Sequence, residues 1–314
     1  MTHRRASLSR RWPVGSPQRG GGSQPRPRGS GQTAAHSRFS LVAGLLISLF
    51  GAFLSAQGAA NQTLHKPLDE VLDLYVRDGL VYYRALRSDR RKLDAYLATL
   101  EQLPSSEVAG WARNDQVALW LNAYNAHVLK AVIDRYPIGG KSSEYPRNSI
   151  RQIPGVFERT PRRVAGRSLT LDQIEVDVIA GFDDPRLTLA IGRGSVGGGR
   201  LRSEAFTGDN LEAQLARVAA EFPTRRESLR IDVAARTVSV TPILSWRETL
   251  FVRVYADKAD QKFAQRSPIE RALVAFILPN LLPGERAFVQ RNEFKVSFHS
   301  YDWRLNDLTG GGPR

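Results

Sequence analysis

The chain has 314 residues with 45 basic and 31 acidic side chains, a formal net charge of +14, and no cysteine. The missing thiol excludes disulfides, a cysteine nucleophile and thiolate metal sites, so stability must come from a packed core. Eight arginines fall in the first 38 residues and no acidic residue precedes Asp69, which places most of the basic excess in a tail and argues against a nucleic-acid-binding face.

That tail (1–38), rich in Arg, Gly, Ser and Pro, holds too few large apolar groups to offset chain entropy and is expected to be a disordered basic leader. Residues 39–60 follow with the uncharged run FSLVAGLLISLFGAFL and a zone of small residues, the pattern of a secretory signal. The run would rise only about 24 Å as a helix against a ~30 Å hydrocarbon core. Cleavage is therefore expected in preference to a permanent anchor. The protein is expected to be periplasmic or extracellular, touching a membrane only through an uncleaved signal. Residues 61–314 carry no repeat or low-complexity linker and are expected to form a single domain.

In chain order, Leu68 to Leu74 and Arg90 to Leu103 have helical spacing, with a turn and a short extended piece at Asp78 to Tyr83 between them. The strongest helix spans about Asp115 to Arg135, before Tyr136-Pro137. A turn and short strand over Gly166 to Thr170 lead into a helix over Leu171 to Ile179, capped by Ser168 or Thr170. After the Asp184-Pro185 break, Leu187 to Ile191 reads as a buried strand feeding the glycine-rich segment Gly192 to Arg200. A helix with a capping box of Asp209 and Glu212 comes next. Ser228 to Val233 and Arg236 to Thr241 form a hairpin with Ile231, Val233, Val238 and Val240 alternating. Ser267 caps a helix with Pro268 in its first turn, and Phe294 to His299 closes as a strand. Mixed elements without a βαβ repeat predict an α+β domain, with a central helix and a mixed or antiparallel sheet.

Gly192-Arg193-Gly194-Ser195-Val196-Gly197 fits the dinucleotide fingerprint, but the next helix starts about ten residues too late to receive a pyrophosphate. A softer expectation is an anion nest of glycine amides with Ser195, Arg193, Arg200 and Arg202; solvated arginines on a surface loop are the structural alternative. Asn122 and Asn125 share a face of the long helix. They serve either to clip a neighbouring loop or to orient a ligand. Ser195, His299 and Asp302 are the candidates for nucleophilic catalysis. The five histidines show no metal-ligand spacing, and no cofactor is expected.

Several segments together resemble the family catalogued as domain of unknown function 547. They are Asp78-Gly79-Leu80-Val81-Tyr82-Tyr83, Trp120-Leu121-Asn122-Ala123-Tyr124-Asn125-Ala126, Tyr136-Pro137, Gly166 to Glu175, Asp184-Pro185-Arg186 and Tyr301 to Asp307, in order over nearly the whole mature chain. The family pattern carries a histidine after Asp-Pro-Arg, then two cysteines and a proline-leucine ending. Here the histidine place is Thr188, the cysteine places are Arg193 and Gly198, and the proline places are Gly199 and Arg200. The resemblance implies a shared fold whose most chemical cluster has been replaced. Matching polar residues (Asn122, Asn125, Glu175, Arg186, Ser195, Asp302) would line a pocket, with Glu175 and Arg186 as an ion pair.

Two functions follow from this reading. One is a domain that binds a small anionic ligand or a protein without thiol chemistry, through Arg193, Arg200 and Arg202. The other is a hydrolase or transferase using Ser195 with His299 or Asp302.

Overall fold

The structure, a computed structural model, describes residues 63–310. The expected leader (1–38) and signal (39–60) lie outside the described residues. Helix α1 (63–75) runs into a minimal hairpin of β1 (Val76–Arg77) and β2 (Leu80–Val81), whose turn residues Asp78 and Gly79 take positive φ values of 54° and 83°. Glycine adopts that left-handed conformation without steric cost, and Asp tolerates it. Helices α2 (Tyr83–Ser88), α3 (Arg91–Gln102) and α4 (Ser105–Ala109) follow. The spacing of Leu93, Tyr96, Leu97 and Leu100 puts all four on the buried face of α3.

Helix α5 (Arg113–Ile133) is the centre of the core. From Val117 to Leu129 every side chain is buried, so the helix is enclosed on all sides, and its two asparagines are buried with it. Buried amides require partners, and those partners define the site described below.

Strands β3 (Arg162–Val164) and β4 (Arg167–Leu169) form a second small hairpin. Thr170 then starts a helix through a reciprocal capping box with Gln173. The single helix expected over Leu171 to Ile179 proves to be α6 (Leu171–Gln173) widening into a π-helical stretch at Ile174–Ile179, a form enriched at functional sites. The expected strand at Leu187 to Ile191 is instead helix α7 (Pro185–Ala190). Asp184 caps it by accepting the Arg186 amide, and Pro185 sits in its first turn. A short apolar run buried on both sides carries no periodicity, and the cap and proline decide its form.

Helix α8 (Leu211–Glu221) begins after Asn210, close to the start expected at Asp209. The hairpin of β5 (Leu229–Asp232) and β6 (Thr237–Val240) pairs Ile231 with Val238, while Val233 lies beyond the strand and is exposed. Short helices α9 (Ile243–Trp246) and α10 (Glu248–Tyr255) lead to α11 (Pro268–Ile277), which has the expected Ser267 and Glu270 capping box, and to α12 (Pro283–Arg291). Strand β7 (Lys295–Phe298) joins β6 in parallel, with Val238 opposite Val296. The domain is α+β with a mixed three-stranded sheet. Among the described residues no helix is long and apolar enough to cross a membrane.

The closing segment ties distant pieces together. Asn306 accepts from the Tyr83 hydroxyl at 2.7 Å and donates to the Gly79 carbonyl at 2.8 Å, and Asp307 accepts from the Tyr136 hydroxyl at 2.7 Å. Segments that the resemblance set far apart in sequence therefore meet in space.

Candidate functional site

The glycine-rich segment 192–200 is held from below by the two asparagines of α5. Asn125 accepts the Gly192 amide at 2.8 Å and donates to the Ala190 carbonyl at 3.5 Å. One turn away, Asn122 accepts the Phe206 amide at 2.9 Å and donates to the Phe206 carbonyl at 2.8 Å. The pair thus clips both ends of the stretch from Ala190 to Phe206. Between the clips, two glycines are required by close approach: a Cβ on Gly197 would lie 2.7 Å from the Asp302 amide nitrogen, and one on Gly199 would lie 2.1 Å from the Leu189 carbonyl oxygen. The segment does not form the expected nest of free amides. The Val196 and Gly197 amides donate to the carbonyls of Arg304 and Asp302, both at 2.9 Å, and the Gly198 amide donates to Ser195.

Beneath the segment lies a buried ionic cluster. Glu175, on the π-helical stretch, accepts from Arg193 at 2.5 Å and from Arg247 at 2.7 Å through the same oxygen, while its other oxygen faces the Tyr124 hydroxyl at 3.4 Å. Burial alone would raise the Glu175 carboxyl, but the two guanidinium groups overcome it and hold the carboxyl below its ordinary range. The expected pair of Glu175 with Arg186 is not formed. Arg186 instead bonds its own cap residue Asp184 at 2.7 Å and Glu212 at 2.7 Å, because the helix over 185–190 turns that side chain toward α8. Thr188 and Arg193, the places where the resemblance sets a histidine and a cysteine, are adjacent and buried, with Arg193 donating to the Thr188 carbonyl at 3.4 Å. Of the places that the resemblance gives to histidine and cysteine, only Arg193 belongs to the ion cluster.

Ser195, His299 and Asp302 form no hydrogen-bonded relay. The Ser195 hydroxyl pairs with the Tyr301 hydroxyl at 2.8 Å, and burial pushes that phenol up, so it stays protonated at neutral pH. The His299 Nε2 donates to the Glu227 carbonyl at 3.0 Å, with Nδ1 facing the Ser239 hydroxyl at 3.5 Å. Asp302 is held by Arg304, whose hydrogen bonds lower the carboxyl.

Two larger clefts flank the segment, beside a narrow one of about 20 Å³ lined by Gly198, Gly199, Arg200, Arg202 and Arg225. One, of about 450 Å³, is lined by Ser195, Val196 and Gly199, by Arg200, Thr224, Arg225 and Arg226, and by the carboxylates Asp78 and Glu227. Of the three arginines expected to act together, only Arg200 lines it: Arg193 belongs to the buried cluster, and Arg202 bonds Glu221 at 2.9 Å. Arg200 itself pairs with Asp78 at 2.7 Å and with Glu221 at 3.1 Å. Arg225 is different. Its guanidinium donates to the Gly198 and Val196 carbonyls at 3.1 and 3.3 Å, and among the described residues no carboxylate forms a direct ion pair with it, although Glu227, Glu221 and Asp78 lie near enough to act on its charge. Burial lowers its pKa. The other cleft, of about 280 Å³, is lined by Arg151, Phe157, Asp172, Trp246, Arg247 and Trp303 above Glu175 and Arg193.

Residues 108–222 match the family model described as Protein of unknown function, DUF547. The segment 108–222 carries the DUF547 pattern. It includes both asparagines, Glu175, Ser195 and Arg200, while Arg225, Arg247 and Trp303 lie beyond it. No curated protein and no solved structure matches the chain. Sequence reasoning passed over Arg225, Arg247, Asp172 and the two tryptophans. The available signals were the Arg225-Arg226 pair beside a helix end and the i, i+3 spacing of Asp172 and Glu175.

Proposed function

We propose that this DUF547 chain is an exported ligand-binding domain whose ligand is a small anion, a phosphate or a carboxylate, held between Arg200, Arg225 and Arg226. The observation that carries the reading is Arg225: a largely buried guanidinium with two carbonyl acceptors and no carboxylate in ion-pair range. Burial disfavours its charge, Glu227, Glu221 and Asp78 offset part of that cost without touching it, and an anion in the cleft would offset more. Guanidinium has five N–H donors, and the two carbonyls leave most of them for a ligand. Arg226 makes no ion pair of its own among the described residues and adds a second positive charge at the rim. Export is supported by the basic leader and the apolar run that follows it. Nucleic acid is not proposed as a partner, because the basic excess is concentrated in residues 1–38.

The test is a thermal-shift screen of the full chain with phosphate, sulfate and citrate against chloride at equal ionic strength. A ligand at 100 times its Kd stabilises by about 2.7 kcal/mol, so a clear rise in melting temperature is expected, smaller in Arg226→Gln. A chain that none of these anions stabilises beyond chloride would refute the reading.

A further inference from the structure

The smaller cleft, on the Glu175 side of the glycine-rich segment, differs in kind from the anion cleft. One wall is aromatic. The rings of Trp246 and Trp303 are 6.4 Å apart and inclined by only 17°, Tyr301 packs 4.3 Å from Trp303, and Trp246 remains 42% exposed. Val176, also exposed, continues that wall. The exposed indole offers a flat apolar face beside a polar hollow.

The polar groups of the cleft balance. Arg151, Arg193 and Arg247 supply positive charge. Glu175, Asp172 and the Glu158 that pairs with Arg151 supply negative charge. Within this set Asp172 lies near Arg151 and Arg247 without a direct ion pair to either. The cleft therefore presents an open acceptor, Asp172, and the part-exposed guanidinium of Arg247 beside an indole face, without net charge. With its positive and negative groups matched, the cleft favours neither an anion nor a cation. A neutral ring bearing hydroxyls suits both kinds of group, since each hydroxyl donates and accepts. Its carbon-bound hydrogens would lie against the indole. The volume, about 280 Å³, is near the ~300 Å³ lower end of small-molecule sites.

We propose that this cleft binds a neutral saccharide, one sugar ring lying on the Trp246 face with its hydroxyls taken by Asp172 and Arg247. The site is separate from the anion cleft, and each can fail without the other.

The experiment is calorimetric titration of the full chain with neutral cello-, xylo-, malto- and chito-oligosaccharides. Calorimetry is chosen because removing Trp246 would also remove a fluorophore. At least one oligosaccharide is expected to bind. Trp246→Ala should weaken it by about tenfold or more, equivalent to about 1.4 kcal/mol. Asp172→Asn, a near-isosteric change, should weaken it as well, and Arg226→Gln should leave it unchanged. Absence of binding by every member of the panel would overturn the proposal. So would binding that survives both Trp246→Ala and Asp172→Asn in folded protein.

Discussion

Glu175 is the residue on which the interior of the site depends. Its single oxygen accepts from two guanidinium groups, one of them on the fully enclosed Arg193. Removing one partner of a buried pair leaves an uncompensated charge and costs about 3–5 kcal/mol, so Glu175→Gln should lower stability by that order at neutral pH in a denaturant titration. The folded-state pKa lies below the ordinary 4.5. The carboxylate's contribution is therefore complete above that value and is lost as the pH falls through the depressed folded pKa. The wild type should lose stability below about pH 4.5, and Glu175→Gln should show a flatter profile there. A variant as stable as wild type at pH 7 would show that the cluster contributes little. At this scale the sequence was only partly legible. The loop-clipping role of Asn122 and Asn125 could be read from two amides on one helical face. The partner of Glu175 could not, because choosing Arg193 over Arg186 requires knowing which way the helix at 185–190 directs its side chains.

Among the elements, those marked by local chemistry were readable and those defined by burial alone were not. Ser267 announced its helix because a capping box is a short-range pattern, and the helix after Gly166 was marked by a cap at Ser168 or Thr170, of which the structure uses Thr170. Thr170 deserves a test because its cap begins the helix that widens at Ile174–Ile179 and carries both Asp172 and Glu175. Thr170→Ala should cost about 1 kcal/mol, measured as a lower melting temperature. It should also weaken oligosaccharide binding more than Ser267→Ala, whose cap lies on a helix that supplies no side chain to that cleft. Equal effects of the two caps on binding would contradict this placement. The apolar run at 187–191 was misread as a strand because its residues are buried on all sides, and helix and strand then share the same composition. The π-helical widening left no mark in the sequence.

At the level of the whole molecule, the ordered segments that carry the resemblance converge: residues 78–83, 136–137 and 301–307 meet through Tyr83, Tyr136, Asn306 and Asp307. Conversely, the two clefts draw residues from well separated stretches, such as Arg225 with Asp78 and Arg151 with Trp303, which composition and periodicity cannot bring together. The proposed export makes its own prediction at this scale. N-terminal sequencing of protein recovered from native cell fractions should find a chain starting near residue 60 outside the cytoplasm; a cytoplasmic chain retaining residues 1–38 would contradict export. The central claim, that Arg225 awaits an anion, is met most directly by calorimetric titration of inorganic phosphate into the wild type, Arg225→Lys, Arg226→Gln and Trp246→Ala. Saturable binding to one site, weakened in both arginine variants and intact in Trp246→Ala, is the predicted result. Phosphate binding that is absent from the wild type, or unchanged in Arg225→Lys and Arg226→Gln, would contradict it.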